Sequence, residues 1–173
     1  MKKQLAVSQI IGFIFTGIAG VLLHFLFDWA NQSVLAAPFS AVNESIWEHI
    51  KLLFFPMFAF ALAESRYSES KNFWCVKLIS IVSALVLTPV LYYTINGAFG
   101  PTPDWVNIAI FFVAVAIGYI IEYVLFRNNS IECNSPQTPF VVLWLIVLVF
   151  AWFTFFPPQI SLFRDPITGT YGI

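Results

Sequence analysis

The stretch QIIGFIFTGIAGVLLHFLFDW, residues 9–29, decides the fold. From Gln9 to Phe27 its one ionisable side chain is His24, and a carboxylate appears only at Asp28. A hydrocarbon core about 30 Å thick is crossed by about 20 apolar residues in a helix. Only a helix or a closed barrel satisfies its own backbone hydrogen bonds in lipid. Four further runs of this kind follow, at 46–64, 73–95, 105–126 and 139–156. Alternating segments of about 10 residues, the mark of a membrane β-barrel, are absent. The expectation is an all-α, polytopic helical membrane protein with about five transmembrane helices. They form a single transmembrane domain over residues 1–173, with 157–173 as an outer C-terminal tail.

Composition agrees. Of 173 residues, 60% are hydrophobic and only 10% charged, against roughly a quarter charged in soluble domains. A net charge of −1 gives no basic field for nucleic acid. The 8 glycines form no phosphate-cradling loop of the GxGxxG or GxxxxGK[ST] kind. Cys75 and Cys133 stand far apart and without CxxC spacing, so neither a thiolate zinc site nor a disulfide framework is expected.

The start, Met1-Lys2-Lys3 before an apolar run, has the outline of a signal peptide, but the run is long enough to be an uncleaved first helix. Orientation follows from the bias of Lys and Arg towards the cytoplasm. With the N-terminus inside, the cytoplasmic ends carry Lys2, Lys3, Arg66, Lys71, Lys77 and Arg127, and the outer side keeps Lys51 and Arg164. The C-terminus is then outside, and both cysteines lie on the cytoplasmic side, where thiols stay reduced. The location expected is a plasma (inner) membrane, with membrane lipids as the surroundings.

The polar residues cluster at the outer end, where Asp28, Glu44, Glu48, Asp104 and Asp165 join both histidines, His24 and His49. On the first helix, Gly12, Thr16 and Gly20 recur every four residues, and small residues at that spacing let another helix approach closely. That face could take a second copy of the chain or a partner helix. His24 continues the same row, which places it on or beside the packed face, and an ionisable group inside a span is a functional candidate. The densest polar segment is Asn43-Glu44-Ser45-Ile46-Trp47-Glu48-His49-Ile50-Lys51. Ser45 and Glu48 read as a capping box, and Trp47 fits an interfacial aromatic belt.

His24, His49 and a carboxylate from Glu44, Glu48 or Asp28 would supply two nitrogens and one oxygen, a three-ligand zinc set with an open position. Glu44 is the first choice of carboxylate ligand. Glu44, Glu48 and Asp165 are the candidate catalytic carboxylates, a spare one serving as general base. The bland alternative is a structural cap with a hydrogen-bonded histidine beside it. In the tail, Arg164-Asp165-Pro166-Ile167-Thr168-Gly169 reads as a tight turn, expected to fold back on the outer mouth. Glu122, near the inner end of helix four and close to Arg127 and Tyr123, is expected to form an ion pair there, with a proton-relay role as the alternative. Pro56 and Pro89 interrupt helices two and three and free the carbonyls of Leu52 and Leu85.

The stretch Ala41-Val42-Asn43-Glu44-Ser45-Ile46-Trp47-Glu48-His49-Ile50-Lys51, with His24 and Trp29 before it, resembles a family of small bacterial integral membrane proteins of unknown function. That resemblance implies a bacterial membrane and supplies no activity. Ile46-Trp47-Glu48-His49 is also similar to the Asn-Ile-Trp-Thr-His stretch of progestin and adiponectin receptor-like proteins, seven-helix relatives of zinc lipid hydrolases. This chain has too few helices and lacks a late histidine pair, so a complete three-histidine site is not available to it.

Three functions are compatible with these features. One is a membrane-embedded hydrolase or transferase acting on a lipid or lipid-linked headgroup, with zinc as the candidate cofactor. The second is a binding or transport module for a small ligand or cation. The third is a non-catalytic partner subunit of a membrane complex.

Overall fold

Each apolar run forms one helix in the computed structural model, which describes residues 2–173. The helices are α1 (Lys2–Trp29), α2 (Ile46–Ser65), α3 (Phe73–Phe99), α4 (Asp104–Asn128) and α5 (Gln137–Phe155). A single 3-10 turn, Ser161–Phe163, lies in the tail. Met1 and the side chain of Lys2, part of the basic start, lie outside the described residues. All five helices are long and apolar enough to cross a membrane, so the chain reads as a multi-pass membrane protein.

The least apolar helix sits in the middle. α2 packs against α1, α3 and α5, and against the tail, and is more enclosed than any of the others. Its Leu53, Phe54 and Met57 meet Ile81 and Ala84 of α3, Ala114 and Val115 of α4, and Leu143 and Phe150 of α5. The apolar residues on the perimeter point outwards. Ile10, Ile14, Ile18 and Leu22 of α1 are each half exposed or more. In water that pattern would expose a large apolar surface; in lipid it is the solvated face.

The small residues of α1 are used within the chain. A Cβ on Gly12 would lie 2.6 Å from the Tyr119 ring and 2.7 Å from Phe60. A Cβ on Gly20 would fall 2.7 Å from Phe111 and 2.9 Å from the carbonyl oxygen of Leu52. That carbonyl is the one Pro56 releases from the helical ladder, so Gly20 makes room for a bare backbone oxygen one turn below His24. Thr16 between them is fully buried, 2.9 Å from the Tyr119 hydroxyl. The face that could have received a second copy is therefore filled by α2 and α4 of the same chain.

Three expectations are corrected. Cys75 and Cys133 form a disulfide, with a Cα–Cα distance of 6.1 Å, despite 58 residues between them. Separation in sequence does not limit pairing here, because the start of α3 and the α4–α5 connection share one end of the bundle. Glu122 pairs with Lys77 at 2.5 Å, whereas Arg127 lies over the Tyr123 ring. Trp47 belongs to the core. Its ring sits 4.7 Å from Phe150 and 4.5 Å from Phe163, while Trp29, Trp105, Trp144 and Trp152 are exposed.

The tail folds back on the N-terminal end of α2. Phe163 packs between Trp47 and Phe153, and Asn43 donates from Nδ2 to the Gly172 carbonyl at 2.9 Å. Arg164 and Tyr171 form an antiparallel bridge around the turn between them.

Candidate functional site

Local structure brings three side chains together. Ser45 caps α2, its hydroxyl accepting from Glu48 N at 3.4 Å. The return half of the expected capping box is replaced, since Asn43 Oδ1 takes the Ser45 N–H at 2.9 Å. Asn43 thus bonds the cap on one side and the tail on the other, which holds Glu44 between two fixed neighbours. His49, one turn into α2, places Nδ1 2.9 Å from the Ser45 carbonyl oxygen. Gly20 lets α1 come close enough that His24 faces His49, the two rings 5.4 Å apart.

His49 Nε2 is 3.4 Å from Glu44 Oε2, and His24 Nε2 is 3.9 Å from Glu44 Oε1. One ligand atom from each residue lies within 4.8 Å of the others. Tetrahedral zinc bonds of about 2.0–2.2 Å set neighbouring ligand atoms roughly 3.3–3.6 Å apart, so a small closure brings the set to bonding geometry. The His49 tautomer supports that use. A backbone carbonyl accepts only, so Nδ1 carries the hydrogen and the Nε2 lone pair of the neutral ring faces the Glu44 carboxylate. Two acceptors facing one another call for a cation or a proton between them. When His49 is protonated, its hydrogen bond to Glu44, helped by the charges of both histidines, holds the Glu44 carboxyl below its ordinary range against the opposing effect of burial.

The trio lies at a cleft of about 510 Å³. Its far wall carries Asp104 and Asn107 of α4, and Pro166 and Ile167 of the tail turn stand at its rim. Asn107 Oδ1 is buried without a hydrogen-bond partner among the described residues. Val21, Phe25 and Ile108 line the cleft and are also about half exposed, so it opens sideways between α1 and α4 onto the lipid-facing surface. A smaller groove of about 280 Å³ shares Ile46, Tyr92 and Pro166 with it and adds Tyr93, Ser161 and Arg164.

The other candidate carboxylates are engaged elsewhere. Glu48 is 1% exposed and pairs with Lys51 at 2.5 Å, while accepting from Val42 N at 3.0 Å. Lys51 also reaches the Ala37 carbonyl and Thr154 Oγ1, so this pair ties the α1–α2 connection and α5 to α2. Asp165 is buried in its own turn, accepting from Ile167 N and Thr168 Oγ1. Asp28 is exposed. Of the candidate carboxylates Glu44, Glu48, Asp165 and Asp28, Glu44 alone lines the cleft. Asn107 gave no sign in the sequence beyond its place at the start of a helix.

The family model of a family of unknown function, DUF6512, matches residues 1–173, and the chain belongs to that family. No curated protein and no solved structure gives a significant match.

Proposed function

We propose that this chain is a metal-dependent hydrolase or transferase of the bacterial plasma membrane, acting on a lipid or lipid-linked headgroup. In this reading the N-terminus is inside, the cleft lies at the outer face, and His24, His49 and Glu44 hold a zinc ion. The observation that carries it is the His49 geometry. Its Nδ1 is fixed on the Ser45 carbonyl, and its Nε2 is turned to Glu44 beside His24. Metal-bound histidines are commonly held by such a backbone bond on the other nitrogen.

Zinc with three protein ligands supplies a water of lowered pKa and polarises an acyl or phosphoryl oxygen. Asp104 and Asn107, which line the same cleft, would orient that water and the substrate. The sideways opening suits a substrate with an apolar tail, because Val21, Phe25 and Ile108 would meet acyl chains while the headgroup meets the trio. Arg164, in the adjoining groove and without an ion pair among the described residues, suits an anionic headgroup.

The test is elemental analysis of purified protein, wild type beside His24→Ala and His49→Ala. Near-stoichiometric zinc in the wild type, lost in both variants while the fold is kept, is the expected result. Wild-type protein prepared without chelator and free of metal would overturn the reading.

A further inference from the structure

We propose that Glu64, Lys77 and Glu122, at the opposite end of the bundle from the histidines, form a proton-binding site. Two carboxylates converge on one ammonium. Lys77 Nζ is 2.5 Å from Glu122 Oε1 and also hydrogen-bonds Glu64 Oε2. Lys77 is 2% exposed and Glu122 1%, so the cluster sits among apolar side chains, with the ammonium over the rings of Phe60 and Phe73. No second base pairs with either carboxylate among the described residues. The fully ionised cluster would hold one unmatched negative charge inside the helix bundle, a state that buried groups avoid by taking up a proton.

The hydrogen bonds show the same deficit. Ser8 donates to Glu64 Oε1, Gln9 Nε2 to Glu122 Oε1 at 3.0 Å, and Ser80 to Glu122 Oε2 at 3.3 Å. The Gln9 side chain is 7% exposed, yet its Oε1 has no donor. Turning that amide over sets its carbonyl oxygen against Glu122, where an acid O–H would donate to it. One added proton therefore supplies the missing positive charge, and in the turned orientation the Gln9 carbonyl can accept it from Glu122.

The groups that face this site come from four helices. They are Ser8 and Gln9 of α1, Glu64 of α2, Lys77 and Ser80 of α3, and Glu122 of α4, with Tyr119 one turn away on α4. α5 has no ionisable side chain along its length. Glu64, whose side chain is 19% exposed, is the cluster's opening to water. A proton arriving there is shared by the two carboxylates across Lys77. The Tyr119 hydroxyl, 2.9 Å from Thr16 Oγ1, continues the polar line along α1 towards the histidine end.

Infrared difference spectroscopy on the full chain in lipid nanodiscs tests this. A carbonyl stretch of a protonated carboxyl should be present at neutral pH and shift in heavy water. It should disappear in both Glu122→Gln and Glu64→Gln, because either leaves one carboxylate matched to one ammonium, and it should persist in Glu44→Gln. No such band in the wild type, or a band that survives in both cluster variants, would overturn the proposal. None of these outcomes depends on zinc at the histidine site.

Discussion

Glu48 Oε2 stands 2.5 Å from Lys51 Nζ, one turn along α2, and both side chains are closed off from solvent. Removing one partner of a buried pair strands the other charge and costs about 3–5 kcal/mol. Lys51→Met should therefore lower thermal stability in detergent strongly, and Glu48→Leu combined with Lys51→Met should recover most of the loss. Thermal unfolding of the three proteins checks this. A double variant no better than Lys51→Met alone would mean that the pair does more than neutralise itself.

Glu44, four residues earlier, should respond differently. Its carboxyl is held below the ordinary value of 4.5, first by the hydrogen bond from His49 and then by the histidine charges. A depressed folded value contributes stability that is fully present above the unfolded value and is lost as pH falls through the folded one. In chelator-treated protein, the melting-temperature gap between wild type and Glu44→Gln should close as pH falls below about 4.5. A gap that widened in acid would contradict the assigned direction.

Asn43 touches no proposed ligand atom, yet it bonds Ser45 N and the Gly172 carbonyl on either side of Glu44. Loss of an outer support of a metal site typically weakens binding about 10–100-fold. Asn43→Ala should accordingly keep the fold and weaken zinc binding by about that factor in a competition titration with a chelator. Unchanged zinc affinity would mean that Glu44 is positioned without the tail.

A leucine at Gly20 has nowhere to go, since even a Cβ meets Phe111 and the Leu52 carbonyl. Gly20→Leu should lower stability and distort the cleft it lines, whereas Ile18→Leu, on the exposed apolar face of α1, should be neutral. Overpacking of this kind costs about 1–3 kcal/mol or more, which thermal unfolding resolves.

The five helices were legible because a membrane core sets one length for every span, and hydropathy reports that length directly. The site was legible only as a set of residues. The segment Asn43–Lys51 offers two carboxylates at i and i+4, and sequence alone could not say which of them faces His24. The choice depends on the buried Lys51, whose ammonium draws Glu48 towards Ala37 and Thr154 and leaves Glu44 at the cleft. Lys77 escaped notice for a related reason. It looked like one more basic residue near the inner ends of the helices, whereas folding turns it between Glu64 and Glu122, and no helical spacing encodes that meeting of three helices. The Cys75–Cys133 pair was likewise invisible, because it joins the start of α3 to the α4–α5 connection, whose neighbourhood exists only once the helices are packed.

That disulfide bears on orientation. Arg66, Lys71 and Arg127 stand at its end of the bundle, while Lys51 and Lys77 are both consumed in buried pairs, so among bases on the connections and tail only Arg164 remains at the other end. In the proposed orientation the charge bias would put the disulfide end in the cytoplasm, where the thiol pool would keep the cysteines reduced. The expected outcome is that Cys75 and Cys133 are both alkylated when intact cells are lysed directly into a thiol reagent, and that they pair after purification in air. A reporter fused after Ile173 should then be active only when it functions outside the cytoplasm. If the cysteines instead resist alkylation in freshly lysed cells and the reporter is active inside, the bundle is inverted. The histidine cleft then faces the cytoplasm, and its substrate is a headgroup of the inner leaflet.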